Sequence, residues 1–205
     1  IGCMAQEHGA KFFKKNPEID LVCGPGNLSQ IPGLVDEILQ GRSEGVTREW
    51  PRRRGNHALA IDKLNDEYSL GDISHRDGNL TALVTIMTGC DHRCTYCIVP
   101  YTRGDERSRD AESILREIKD LEARGFKEVM LLGQNVNSYG KIGAMDKLLP
   151  SKQIDFVGLL EKIQETAPGI SRLRFITSHP KDAHTRLFKA MKELPMVCGH
   201  LHLPV

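Results

Sequence analysis

From Leu80 onward, short apolar runs alternate with segments of helical period, and this alternation constrains the fold more than any other feature of the chain. "TALVTIM" (Thr81 to Met87) is almost continuously apolar, as a strand buried on both faces should be. After a cysteine-rich loop, "DAESILREIKDLEARG" predicts a helix capped by Asp110. Ile114, Leu115, Ile118 and Leu121 form its buried stripe and Gly125 ends it. "FKEVMLLG" predicts the next strand, and a long polar stretch, "QNVNSYGKIGAMDKLLPSKQI", precedes the helix "DFVGLLEKIQETAPG", capped by Asp155. Strand "RLRFITS", helix "DAHTRLFKAMKEL" and a last strand in "CGHLHLPV" complete the series. The order β-α-β-α-β-α-β implies a parallel sheet with right-handed crossovers, either an open doubly wound sheet or part of a barrel. In both cases the active site lies at the carboxyl ends of the strands. Three polar loops converge there: the cysteine loop, "GQNVNSYG" and "SHPKD".

The first part of the chain is also α/β. "AQEHGAKFFKKNP" predicts a helix stopped by Pro17, and "IDLVCG" a short strand before a Gly-Pro-Gly turn. A second helix starts near Pro32, with Leu34, Val35, Ile38 and Leu39 on one face and Gly41 as its stop. Residues 46–79 have no sustained period and are rich in charge, Gly and Asn. The expected organisation is therefore residues 1–45 as the end of an amino-terminal α/β domain, 46–79 as a linker with possible short extended pieces, and 80–205 as a second α/β domain.

Charge does not select a partner. Lys and Arg number 28 against 27 Asp and Glu, a net charge of +1, so no global field draws the chain to nucleic acid or membrane. Basic residues cluster at Arg52, Arg53 and Arg54 and in "RGDERSR" (Arg103, Arg107, Arg109), which reads first as a solvated face. No run approaches the roughly 18 apolar residues of a membrane helix, and no signal-peptide pattern opens the chain. "IGCMAQ" at the start and "HLHLPV" at the end both read as cut from a longer protein.

Six cysteines remain to be explained: Cys3, Cys23, Cys90, Cys94, Cys97 and Cys198. Their uneven spacing is unlike a secreted disulfide scaffold and fits metal-binding thiols in a reducing compartment. Three lie in "TGCDHRCTYCIVPYTRG", spaced C-x3-C-x2-C. A structural zinc site wants four closed ligands. His92 is only two residues from Cys90 and from Cys94, poorly placed to close a tetrahedron, and no second C-x2-C pair exists. Ordinary iron–sulfur clusters take four cysteines. Three thiolates on a cubane leave one iron open to a substrate or cofactor, so the spacing favours a catalytic iron–sulfur site, with zinc as the alternative.

C-x3-C-x-aromatic-C after the first strand of a β/α unit, with Tyr96 as the aromatic, resembles the radical S-adenosylmethionine (SAM) superfamily. "GCDHRCTYCIVPYTRGDERSR" resembles its methylthiotransferases, and "LLGQNVNSYG" and "RFITSHPKD" are similar to the tRNA-modifying branch, the MiaB type. The resemblance covers the whole chain. It implies an amino-terminal methylthiotransferase domain followed by a radical SAM partial (β/α) barrel, here truncated. It implies a transferase in which Cys90, Cys94 and Cys97 hold a [4Fe–4S] cluster whose open iron is chelated by SAM. Reductive cleavage of SAM gives a 5′-deoxyadenosyl radical, which takes hydrogen from C2 of N6-isopentenyladenosine beside the anticodon, and a methylthio group replaces it. The resemblance further implies a second [4Fe–4S] cluster in the amino-terminal domain. "GCMAQ" offers Cys3 as one of its ligands, the other two lying upstream. The implied partners are the tRNA anticodon stem-loop and a reducing electron donor, for a cytoplasmic monomer with no membrane attachment. The alternatives are the same chemistry on threonylcarbamoyl-adenosine tRNA or a ribosomal protein, and a non-catalytic zinc-stabilised nucleic-acid-binding module.

The resemblance assigns no catalytic acid or base. Gly133 either lets backbone approach the SAM amino group or is an ordinary strand-end glycine. Gln134 and Asn135 contact cofactor or base, or belong to a loop network. Tyr96 packs near the SAM adenine or fills the loop. Ser178 and His179 stand at the third strand's end. Arg103, Arg107 and Arg109 can pair with phosphates or the SAM carboxylate, with at least one expected to pair with Asp105 or Glu106. Cys23 and Cys198 read as small buried hydrophobes. His8, His57, His75 and His184 show no partner pattern. His200 and His202 share one side of the last strand, and Trp50 reads as packed.

Overall fold

A computed structural model describes residues 1–43, 57–61, 80–140 and 154–204. Trp50, Arg52, Arg53, Arg54, His75 and the polar stretch 141–153 lie outside the described residues. Those described gather into two compact units. One holds residues 1–43, 57–61 and 93–104; the other holds 80–92, 105–140 and 154–204.

In the first unit the expected helix over residues 5–17 is two helices, α1 (Cys3–His8) and α2 (Lys11–Lys15). Gly9 breaks it. Its φ of 46° is left-handed, and a Cβ there would meet Ile61 Cδ1 at 2.9 Å. Only glycine takes both conditions without strain. β1 (Leu21–Cys23) pairs in parallel with β2 (Ala58–Ala60), in register Leu21↔Ala58. Cys23 is fully buried, and burial raises its thiol pKa, as fits a small hydrophobe. A 3₁₀ turn (Pro25–Gln30) leads into α3 (Ile31–Ser43), which runs past Gly41, the expected stop. Of its expected stripe only Ile38 is buried, while Val35 and Leu39 are exposed. The short helix α4 (Val99–Thr102) packs against α1.

In the second unit β3 (Thr81–Thr85), β6 (Glu128–Leu132) and β7 (Arg172–Phe175) form one parallel sheet in the order β3-β6-β7. Between β3 and β6 lie a small antiparallel ribbon, β4 (Met87–Thr88) with β5 (Arg107–Ser108), and α5 (Ala111–Ala123). α6 (Phe156–Thr166) follows β6, and α7 (Thr185–Glu193) follows β7. Asp110 and Asp155 cap their helices as expected, accepting from Ser113 N and Gly158 N, both at 2.8 Å.

Register explains which face is covered. Ala82↔Val129↔Leu173 and Val84↔Leu131↔Phe175 make two rows, all buried with Ile114, Ile118, Leu159, Leu160 and Ile163 of the helices. The intervening row, Leu83↔Met130↔Arg174, points the other way, and Leu83 is 53% exposed. β3 therefore alternates; it is not buried on both faces as its apolar run suggested. With α5, α6 and α7 sharing one core on one face, the described residues form a stretch of barrel wall and not a doubly wound sheet.

The expected strand within residues 198–205 does not form among its described residues. Val197 makes one isolated bridge to Leu173, and the chain then turns, with His200 N donating to Cys198 O at 2.8 Å. His200 and His202 thus do not share a strand face. Cys198 is only half-buried.

Candidate functional site

The sheet brings its three polar loops together at the carboxyl ends of β3, β6 and β7. The cysteine loop leaves and returns through the β4–β5 ribbon, where Thr88 faces Arg107. Asp91 Oδ1 accepts from Glu106 N at 2.9 Å and tightens its base. Cys90 is buried, at 8% exposure, while Cys94 and Cys97 are half-buried. Cys97 N donates to Cys94 O at 3.0 Å, so these two sit on one turn. All six cysteines are among the described residues and none is in a disulfide. Cys3 opens α1 and is half-buried. Tyr96 is 79% exposed and does not fill the loop.

His92, between the first two of these cysteines, turns toward the third loop. Its Nε2 lies 2.7 Å from Asp182 Oδ2. An ionised carboxylate accepts only, so Nε2 carries the proton and donates. The His92 ring also stacks on His179, with centroids 4.0 Å apart and planes 11° apart. Asn135 Nδ2 donates to the same Asp182 oxygen at 2.6 Å, and Asn135 Oδ1 accepts from His179 N at 3.1 Å. One carboxylate thus joins all three loops.

His92, His179 and Asp182 place ligand atoms within 4.8 Å of one another, the spacing of a cation site. An imidazole ligates in its own ring plane, and two stacked, nearly parallel rings cannot both aim a lone pair at one ion. The group reads as a hydrogen-bonded clamp. Its key member was missed in the sequence, where Asp182 is the first residue of the helix expected over 182–194. The helix instead starts at Thr185, with His184 Nδ1 accepting from Leu187 N at 3.3 Å, which leaves Asp182 available. The only signal was its place in the polar "SHPKD" loop.

The other expected site residues are placed as follows. Gly133 ends β6 with no room for a side chain: a Cβ would meet Met87 Cγ at 2.5 Å. Ser178 is buried, its hydroxyl donating to Asn137 Oδ1 at 2.9 Å. Arg109 is buried against Glu117 and donates to Thr85 O at 3.2 Å and Ser113 Oγ at 3.0 Å, so it ties β3 to α5. Thr177, at the end of β7, takes a left-handed φ of 61°, costly for a β-branched residue. Gln134 Oε1 and Asn137 Nδ2 are buried with no partner among the described residues. A buried orphan of this kind costs free energy unless something else satisfies it.

Three thiols in one loop, none of them in a disulfide, are a donor set that fits an iron–sulfur cluster. Residues 84–205 match the model of the Radical SAM superfamily, and the chain belongs to that family. Membership brings the superfamily's cofactors, a [4Fe–4S] cluster and SAM. The chain is 42% identical over 207 residues to a tRNA-2-methylthio-N(6)-dimethylallyladenosine synthase of Pelotomaculum thermopropionicum, covering all of this chain and 42% of that protein. Proteins of the same name are 42% identical in Geobacter metallireducens, covering 99% of this chain and 42% of that one, and 43% identical in Clostridium perfringens, covering 100% and 41%. The chain thus spans about two-fifths of the length of these relatives. A solved radical S-adenosylmethionine methyltransferase, TsrM from Kitasatospora setae, is 19% identical with a TM-score of 0.44, covering 79% of this chain and 27% of that one. Among the described residues no helix is long and apolar enough to cross a membrane.

Proposed function

We propose that this chain is part of a methylthiotransferase that adds a methylthio group to C2 of N6-isopentenyladenosine beside the anticodon of tRNA. The observation that carries it is identity of 42–43%, over 99–100% of the chain, to proteins named for that reaction. Residues 1–45 belong to the amino-terminal methylthiotransferase domain, 46–79 to a linker and 80–205 to the radical SAM barrel. The protein works in the cytoplasm with a reducing electron donor and tRNA as partners.

In this reading Cys90, Cys94 and Cys97 hold the cluster, and Cys3 contributes to a second one. When bound, the cluster and SAM supply the radical that activates the C2–H bond. The chain's own residues bind and orient. Gln134 Oε1 is a buried acceptor and Asn137 Nδ2 a buried donor, each left to be satisfied by a group beyond the described residues. Asn135, Ser178 and Arg109 spend their polar atoms on the loops and helix behind the site and hold it in shape. Gly133 lets β6 end tightly against Met87, and Tyr96 is available to a substrate base or the cofactor adenine.

Anaerobic reconstitution with iron and sulfide tests this. The expected result is about four irons on the C-x3-C-x2-C loop, lost in Cys94→Ala, with SAM cleaved to 5′-deoxyadenosine by the parent alone. Transfer of the methylthio group to an isopentenylated anticodon stem-loop, and not to the unmodified one, is expected of the protein that contains this chain. Zinc in place of iron would end this reading.

A further inference from the structure

The cysteine loop is tied at its base by the two-residue ribbon and the Asp91–Glu106 contact, and a polar link joins it to the strand ends of β6 and β7 through His92 on Asp182. Asp182 is 5% exposed and held in place twice over: Asn135 Nδ2 donates to it at 2.6 Å, and its own amide donates to His179 O at 3.0 Å. His179, on which the His92 ring lies, is fixed in turn by Asn135. His92 is two residues from Cys90 and two from Cys94, so its side chain sets where the backbone carrying both sulfurs runs.

We propose that Asp182 is a positioning residue for the cluster: through His92 it holds the cysteine loop in its ligating course, so that the thiols are ordered before iron arrives. A charge-assisted hydrogen bond to a buried carboxylate is well suited to this, because it has one good geometry and is costly to break. Asn135 plays the supporting part, aiming the carboxylate. The proposal rests on the assignment of Cys90, Cys94 and Cys97 as cluster ligands.

The test uses the reconstituted protein and reads iron loss to a chelator, together with the electron paramagnetic resonance spectrum of the reduced cluster with and without SAM. Removing an outer partner that orients metal ligands weakens metal holding by about 10- to 100-fold, so Asp182→Ala should release iron at least about tenfold faster and alter the spectrum. Asp182→Asn keeps an oxygen that can accept from both His92 and Asn135, and should restore most of the parent behaviour. His92→Phe keeps the stack on His179 and removes the donor; it should match Asp182→Ala. The double variant should be no worse than His92→Phe alone, since the two act as one unit. Should Asp182→Ala fail to fold by circular dichroism, His92→Phe and Asp182→Asn carry the test. A parent that binds iron, with Cys94→Ala that does not, and clamp variants at the parent's rate and spectrum, overturns the positioning role alone. Fully additive effects of the two substitutions also overturn it. A parent that takes up no iron overturns the ligand assignment beneath it.

Discussion

One face of the β3-β6-β7 sheet carries Ala82, Val84, Val129, Leu131, Leu173 and Phe175, each at most 1% exposed. The other carries Leu83, Met130 and Arg174 in one row, and in the next Glu128 between Arg172, at 2.6 Å, and Arg174, at 3.8 Å. The strands are the same, so the difference comes from what lies against them. Three amphipathic helices cover the first face, and none of the described elements shares a core with the second. Parallel strands with helices on one side and mixed apolar and charged residues on the other are what a barrel wall presents to its interior. The covered face supplies stability, and the strand ends, where the chain leaves it, supply the site.

The sharpest way to break this comparison is to truncate one leucine on each face. Leu131→Ala removes a side chain packed wholly within the helix–sheet core and should cost about 2–5 kcal/mol. Leu83→Ala, one strand away and 53% exposed, should stay within about 0.5 kcal/mol. Chemical denaturation of both variants measures the difference. Equal losses would mean that the second face is buried in the protein against something beyond the described residues, and the contrast would fail.

How far the sequence could carry this is visible at single residues. The helices covering the sheet were legible because Ile114, Ile118 and Leu121 repeat at helical spacing and Asp110 supplies a cap. β3 lies within the expected strand but stops at Thr85, with Met87 passing to the ribbon, and its apolar run suggests burial on both faces because Leu83 looks the same in sequence whether or not anything covers it. Cys90, Cys94 and Cys97 stand out by spacing alone. Their clamp does not, since His92 and Asp182 are 90 residues apart and meet only when β3 and β7 flank β6. The split at Gly9 was hidden for a similar reason: what forbids a side chain there is Ile61, supplied from a distant part of the chain. The expected last strand failed because apolar content in "CGHLHLPV" says nothing of the turn that Cys198 and His200 make.

A smaller effect sharpens the account of the covered face. Tyr139 is fully buried there, its hydroxyl donating to Arg109 O at 2.7 Å. Burial first, and then the Asp110 charge, push its phenol well above the ordinary value, with Arg109 opposing. Tyr139→Phe should cost about 0.5–1.5 kcal/mol at neutral pH by orphaning that carbonyl. The sign at high pH is opposite. The folded phenol keeps its proton while the unfolded one ionises above about pH 10, so parent stability falls there by up to about 1.4 kcal/mol per pH unit. The phenylalanine variant lacks this loss. The gap between the two should therefore close and then reverse as pH rises past about 10, measured as denaturation midpoints from neutral to alkaline buffer. A gap that stays constant would show that the ring is not held neutral by burial.

The smallest effects concern how the cover itself begins. Asp110 and Asp155 each accept from the amide three residues on, and each starts a helix of the covering layer. Replacing either with alanine should cost about 1 kcal/mol, the usual worth of a cap. Asp155 also pairs with Arg186, but both side chains are about half exposed, at 44% and 55%. Such a pair adds little, because water and salt screen it and ordering two side chains opposes it. The two variants should therefore lie within a few tenths of a kcal/mol of each other, with any excess for Asp155→Ala disappearing in high salt. Neither should change the response of the open face, since a cap governs where a helix starts and not what its buried stripe touches. If Asp155→Ala costs several times as much as Asp110→Ala, the link from α6 to α7 through Arg186 is part of what holds the cover together, and the covered face depends on contacts between its helices as much as on contacts with the sheet.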